Sequence, residues 1–260
     1  MLRLVSRLFS RALLGSIAVL SFGLSACEGD CVAADKEGAR RGESLRTGGG
    51  VPFEVVTPWR YSHRSHHGLV VAYAGSGGSI SSILDSWGLV EAAGDVVIAA
   101  VAEQAPTSEA TLSDLGSVRS LVEERYCIAP ERIALTGHSD GGSTAALVAL
   151  LPVGEGLAGV APSAAGVRPS DLEALGCARA LSVLVLHSED DDVFPDRGEA
   201  SAGWWSDCFS CTDEVIDEGC VVRSGCSGGS SVRFCPGTGS HSDWPEERAA
   251  DIIAIVNPPE

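Results

Sequence analysis

From residue 52 onward, short and almost unbroken apolar runs alternate with segments whose apolar residues recur at helical spacing. Residues 68–74, 95–101, 132–136, 157–161 and 181–186 are runs of the kind that fill strands buried on both faces. Residues 79–93 place Ile80, Ile83, Leu84, Trp87 and Val90 on one helical face. Residues 112–126 do the same with Leu115, Val118, Leu121 and Val122, with Thr111 or Ser113 as the expected cap. Residues 143–151 and 170–175 predict two further helices, and residues 246–256 a closing one. Buried strands alternating with helices predict an α/β fold: one mostly parallel sheet with helices on both faces. No internal repeat is visible.

The rhythm stops at residues 204–239, which are rich in Gly, Ser and Cys and contain one strand candidate, residues 231–235. Trp204 and Trp205 at its start fit either the wall of a substrate cleft or a buttress for a disulfide-rich loop. The polar residues 28–50, ending Thr47-Gly48-Gly49-Gly50, bury too little apolar surface to order alone and read as a tether. Ahead of them, Arg3, Arg7 and Arg11 precede an apolar run over residues 12–24 and then Leu24-Ser25-Ala26-Cys27. A basic start, a short apolar stretch and small residues describe an export signal, too short to span a bilayer comfortably.

That leader resembles the lipobox of bacterial lipoproteins. The resemblance implies that Cys27 becomes the lipid-modified first residue of the mature chain, anchored in the cell envelope by its acyl chains. A plain secretory signal with an incidental cysteine is the alternative. The expected organisation is a leader at 1–26, a tether at 27–50 and one domain at 51–260, with 204–239 as a Cys-rich insertion.

Charge narrows the partners. Cleavage before Cys27 removes three arginines and no acid, taking the formal charge from −17 to −20. Such acidity argues against nucleic acid, against polyanionic substrates and against adhesion to anionic lipid through basic patches. A well-solvated surface on a monomer is the expectation.

Cys27 aside, eight cysteines remain: Cys31, Cys127, Cys177, Cys208, Cys211, Cys220, Cys226 and Cys235. An even number in an exported chain reads as disulfides. Cys127 and Cys177 each precede a core strand at the same sheet edge and are expected to pair. Five cysteines then fall in residues 208–235, so Cys31 closes against them or one thiol stays free. Cys208-x-x-Cys211 imitates a zinc site, but no His lies at ligand spacing, and no metal is expected.

The chemistry centres on Gly137-His138-Ser139-Asp140-Gly141, set between the buried run 132–136 and a small-residue helix. Gly-x-Ser-x-Gly in a strand-to-helix turn is a nucleophile elbow, which holds the serine hydroxyl clear of its neighbours. A serine nucleophile needs a base, and the base needs an acid to orient it. In α/β-hydrolases these follow in the order Ser, acid, His. After the run 181–186 comes His187-Ser188-Glu189-Asp190-Asp191-Asp192, from which Asp191 is the favoured acid and Asp190 and Asp192 are alternatives. An acidic turn, with or without calcium, is the plainer reading.

For the base, His63, His66 and His67 come before the first core strand, His138 must point away inside the elbow, and His187 is too early. His241 is left, on the loop before the last helix. An oxyanion hole needs two backbone N–H groups. Asp140 supplies one, and the loop Gly75-Ser76-Gly77-Gly78 the other, with Ser76 first and Gly77 second.

Taken together, residues 69–78, 133–142, 187–195 and 241–245 resemble the secreted polyhydroxybutyrate depolymerase and feruloyl esterase group of α/β-hydrolases. The resemblance puts the acid on Asp191 and the base on His241. It implies an α/β-hydrolase fold and a serine esterase that works through an acyl-enzyme, without a cofactor, on an ester that is small or polymeric. Two positions depart from the group: Ala74 replaces its His, and Ser242-Asp243 separates His241 from Trp244-Pro245. A surface lipoprotein using the scaffold for binding alone is the competing expectation.

Overall fold

The buried runs line up in one ten-stranded sheet in the computed structural model, which describes residue 31, residues 42–106 and residues 108–258. The leader and Cys27 lie outside the described residues. Ten strands are β1 (Glu43–Arg46), β2 (Pro52–Val56), β3 (His67–Tyr73), β4 (Val97–Val101), β5 (Ile128–His138), β6 (Gly159–Ser163), β7 (Ser182–Ser188), β8 (Asp213–Asp217), β9 (Cys220–Ser224) and β10 (Ser231–Gly237). Their order across the sheet is β1-β2-β4-β3-β5-β6-β7-β10-β9-β8. The strands from β4 to β10 run parallel, and an antiparallel pair extends each end.

Alternating residues of each parallel strand face two separate cores. Leu69, Val71 and Tyr73 of β3 join Ile133 and Leu135 of β5 on one face, under α3 (Glu109–Gly116), α4 (Val118–Glu123), α5 (Asp140–Val148) and α7 (Arg197–Cys208). Val70 and Ala72 join Ala134, Leu184 and Leu186 on the other, under α1 (Ile80–Ser86), α2 (Leu89–Ala92) and α8 (Ala249–Ala254). The short α6 (Pro169–Glu173) packs against α7, and its Leu172 shares a small apolar cluster with Ala146 of α5. Two covered faces explain why these strands read as continuous apolar runs.

Two expected helices are each broken in two. Residues 79–93 divide at Gly88, whose φ of 68° is left-handed. Residues 112–126 divide at Ser117, whose hydroxyl donates to the Asp114 carbonyl at 2.6 Å and so bonds within the turn. The cap of that region is Ser108, which accepts from the Thr111 N–H, rather than Thr111 or Ser113. Part of the expected tether belongs to the fold. Glu43–Arg46 pairs antiparallel with β2, and Asp114 accepts from the Thr47 hydroxyl at 2.5 Å and the Gly49 N–H at 2.7 Å.

The Cys-rich segment is more regular than its composition suggests. It begins inside α7, whose buried face is Gly198, Ser201, Ala202 and Trp205, a helical spacing hidden by small residues. A hairpin of β8 and β9 follows, closed by Glu218 and Gly219, both at positive φ (47° and 76°), as a two-residue primed turn requires. Trp205 is fully buried, tilted against Phe209 and edge-on to Trp204, so the tryptophan pair acts as a buttress.

Four disulfides join Cys31 to Cys127, Cys177 to Cys208, Cys211 to Cys226 and Cys220 to Cys235. The expected Cys127–Cys177 pair is therefore incorrect. The strands that follow these two cysteines, β5 and β7, flank β6. Two strand spacings are about 9.6 Å, too far for a disulfide. Four disulfides fit an oxidising, extracytoplasmic compartment. Among the described residues, no helix is long and apolar enough to cross a membrane.

Candidate active site

Ser139 stands between β5 and α5 with φ 56° and ψ −119°, a conformation non-glycine residues avoid. The surrounding glycines make that turn possible. A Cβ on Gly141 would overlap the Tyr73 carbonyl, and one on Gly137 would overlap the Gly141 backbone. The Ser139 N–H donates to the Ser163 carbonyl at 2.9 Å, tying the turn to the end of β6.

The loops after β5, β7 and β10 bring three side chains together. Ser139 Oγ lies 2.8 Å from His241 Nε2, and His241 Nδ1 lies 2.8 Å from Asp191 Oδ2. With Nδ1–H donating to the carboxylate, Nε2 presents its lone pair to the serine hydroxyl. Asp191 is the carboxylate that meets His241; Asp190 and Asp192 are exposed, and Asp190 reaches only the Gly239 N–H, at 3.4 Å.

The Asp191 side chain is fully buried (0% exposed), yet it is built to stay ionised. Burial pushes its pKa up, but the Phe194 N–H, the His241 ring and the Val193 N–H together hold it below the ordinary carboxylate value. Oδ1 accepts from those two amides at 2.7 and 2.9 Å, leaving Oδ2 for the imidazole.

Several residues around this chain of bonds had no site role assigned from sequence. His138 points away from Ser139, as expected, and its Nε2–H donates to the His241 carbonyl at 2.7 Å. That carbonyl can only accept, which fixes the tautomer and leaves Nδ1 to accept from the Ser163 hydroxyl at 3.1 Å. Burial lowers the His138 pKa. His187 Nε2–H donates to the Phe194 carbonyl at 2.9 Å and lies 3.4 Å from Asp191 Oδ2, bracing the acid loop; burial lowers its pKa too. Phe194 packs edge-on to the His241 ring. Trp244 stacks on Trp87 with centroids 4.0 Å apart and donates to its carbonyl, pinning the far side of the base loop. Adjacency of His138 to Ser139 hinted at its place; Trp87 was expected only on an apolar helix face, and nothing gave Phe194 a role of its own.

The loop after β3 crosses against the elbow. A Cβ on Gly75 would lie 2.5 Å from the His138 carbonyl oxygen and 3.0 Å from the Ser139 Cβ. Residues 75–78 form a turn closed by the Gly78 N–H on the Gly75 carbonyl, with Gly77 at φ 75°. Gly77 N–H is engaged by Glu103 at 2.9 Å, which removes the second oxyanion candidate. Among the described residues, the N–H groups of Ser76 and Asp140 have no protein partner. No group of three or more His, Cys, Asp or Glu residues among the described ones is arranged to hold a metal ion.

Solved structures share this arrangement of sheet and helices. The chain is similar to an esterase from the archaeon Pyrobaculum calidifontis, with TM-score 0.59 and 16% identity over 84% of this chain and 85% of that one. It is also similar to EstE1, a thermostable carboxylesterase from a metagenomic library (TM-score 0.59, 17% identity, 84% and 89% covered). FphF, a fluorophosphonate-binding serine hydrolase of Staphylococcus aureus, aligns at TM-score 0.61 and 12% identity, over 84% of this chain and 100% of its own. The fold is that of the α/β-hydrolases. No protein-family model and no curated protein sequence matches the chain. In this α/β-hydrolase fold, β5, β7 and β10 deliver the three polar side chains to one end of the sheet, outside the carboxyl ends of the strands.

Proposed function

We propose that the protein is an exported serine esterase, held at the cell envelope by lipid on Cys27, that hydrolyses carboxylic esters through an acyl-enzyme. The observation that carries the reading is the unbroken hydrogen-bond chain from Ser139 Oγ through His241 to a buried Asp191. Ser139 Oγ attacks the ester carbonyl carbon as His241 Nε2 takes its proton. The N–H groups of Ser76 and Asp140 hold the oxyanion. Collapse expels the alcohol, protonated by His241, and water repeats the sequence to release the acid. Asp191 stays ionised throughout and stabilises the imidazolium.

The esterase and serine hydrolase neighbours support the reaction class, and the leader with its lipobox-like cysteine supports export and anchoring. The resemblance to polyhydroxybutyrate depolymerases and feruloyl esterases favours a polyester or hydroxyacid oligomer, or a feruloyl or acetyl ester, as substrate. A fluorophosphonate probe tests the centre of the proposal. The oxidised protein should be labelled on Ser139 and should hydrolyse p-nitrophenyl esters, and Ser139→Ala should lose both properties. Hydrolysis that survives Ser139→Ala rejects Ser139 as the nucleophile; an unlabelled Ser139 in a protein that hydrolyses no ester favours a binding lipoprotein. Esters of graded acyl length beside polyester and feruloyl substrates then identify the acyl group.

A further inference from the structure

We propose that the surface around Trp59 is a membrane-docking face, seating the protein on an anionic bilayer with Ser139 turned away from the lipid; the orientation rests on the anchor assigned above to Cys27. Three observations converge on this end of the sheet.

The first is covalent. Cys31 is bonded to Cys127, immediately before β5. Cys27 precedes Cys31 by four residues, a length of chain that reaches at most about 14 Å. The link from lipid to folded body is therefore these few residues and not the whole stretch to Gly50. Whatever surface lies at the N-terminal end of β5 is held near the bilayer.

The second is the loop that occupies that surface. Residues 57–66, between β2 and β3, wrap the disulfide. The Cys127 N–H donates to the Tyr61 hydroxyl at 2.9 Å, and the His63 carbonyl touches the Cys127 sulfur. At the tip of the loop, Trp59 is 79% exposed, with the Arg60 guanidinium 4.1 Å from its ring centroid. His63, Arg64 and His66 of the same loop are also exposed.

The third is local charge. In a chain of net charge −17, no Asp or Glu falls between Glu54 and Asp85. Of the acids at this end, Asp95 pairs with Arg132 at 3.1 Å and Glu43 accepts from the Tyr126 hydroxyl at 2.6 Å, while Glu91 lines the same cleft as Trp59 and is exposed. An exposed indole with two arginines is the composition that settles at a headgroup layer: the ring lies among the glycerol groups and the guanidinium ions meet phosphate. The overall acidity had argued against basic-patch adhesion to lipid, but it averages over a surface on which this loop is the exception.

The orientation follows from strand direction. Cys127 precedes β5 and Ser139 follows it, and residues Ile133 to His138 alone put roughly 20 Å between them. Substrate then arrives from the aqueous side, as a soluble or polymeric ester must, and not from the bilayer below.

Vesicles of phosphatidylglycerol and phosphatidylethanolamine with brominated acyl chains test the seat directly. In the native acylated chain, bromine should quench a share of the tryptophan emission that Trp59→Phe removes; equal quenching of both proteins overturns the proposal. A second arm uses the mature chain exported behind an unlipidated secretory signal with Cys27→Ser. It should sediment with the anionic vesicles, less at high salt and about twentyfold less with Arg60→Glu and Arg64→Glu together. Ester hydrolysis by these variants should be unchanged. Absence of vesicle binding by this unlipidated chain, or binding to a soluble anionic polysaccharide in its place, rejects the face. An intact mass without acyl groups on Cys27 in the native protein rejects the anchor alone and leaves the second arm to decide the face.

Discussion

The two halves of the sheet are held together by different means, and the proposed active site straddles them. From β4 to β7, five parallel strands lie between helices, with Leu69, Val70, Val71 and Ile133 fully buried. Beyond β10, the hairpin of β8 and β9 is an exposed edge, its Val215 and Ile216 open to solvent. Hydrophobic burial maintains the first region. Two disulfides, each closing a separation of 15 residues, hold the second. Ser139 and Asp191 issue from the first region, whereas His241 follows β10, which Cys220–Cys235 ties to the hairpin. Ser139, the proposed nucleophile, is set by packing, and His241, its proposed base, by a strand that covalent staples secure.

The largest expected effect lies at the junction itself. Asp191→Asn keeps an oxygen for the Val193 and Phe194 amides but offers N–H groups where His241 Nδ1–H must donate. His241 is then driven to the tautomer that cannot accept the serine proton. The expected fall in kcat is about 10⁴-fold with little change in KM. Ester kinetics and a thermal melt check it: a loss below tenfold would mean that His241 does not depend on Asp191.

Breaking the staple should separate the two regions. Cys220→Ser with Cys235→Ser removes a link worth about 2–5 kcal/mol. Hydrogen exchange should quicken in β8, β9 and the His241 loop while β3 and β5 keep their protection. Activity should fall with the loop and not with the core. Uniform loss of protection would show that the sheet unfolds as one unit and that the contrast between the halves is only chemical.

The contrast also separates what could be read in the sequence from what could not. In the apolar half, burial on both faces writes itself into unbroken runs such as residues 68–74, and the turn at Ser139 needs glycines at fixed positions, so the strands and that turn are both legible. Asp191 was legible only as one of three neighbouring carboxylates, because burial and two amide donors, not residue type, distinguish it. In the stapled half, Gly198, Ser201 and Ala202 of α7 are buried for their small size, which no hydrophobic pattern records. Cysteine pairing depends on which strands are neighbours, and the Cys127–Cys177 expectation failed because β6 lies between. His138 donates to the His241 carbonyl and so joins loops 103 residues apart, a contact that no local pattern records.

That contact yields a smaller prediction. His138→Phe fills the space but removes the bonds to His241 and Ser163. The base loop would keep its Trp244–Trp87 stack and lose its inner anchor. A decrease of about 10- to 100-fold in kcat with KM nearly constant is expected. Unchanged kcat would assign the positioning of His241 to the tryptophan stack alone.

The smallest effect is one of pH on stability. Burial lowers the pKa of His187, so the folded state holds it neutral where the unfolded chain, with an ordinary value near 6.5, takes up a proton. Between those two values the unfolded state binds more protons, so stability rises with pH. The contribution is complete above about pH 6.5 and disappears as pH falls through the folded value. His187→Gln keeps an N–H for the Phe194 carbonyl and has no charge to gain. Melting temperatures taken from pH 7.5 down to 5 should therefore fall less steeply for His187→Gln than for the native protein. Asp191, whose own pKa is depressed, loses its contribution only at more acid pH and leaves this window to the histidines. Parallel slopes would mean that the core opens enough near pH 6 to hydrate His187, and the first region would then be less rigid than its burial implies.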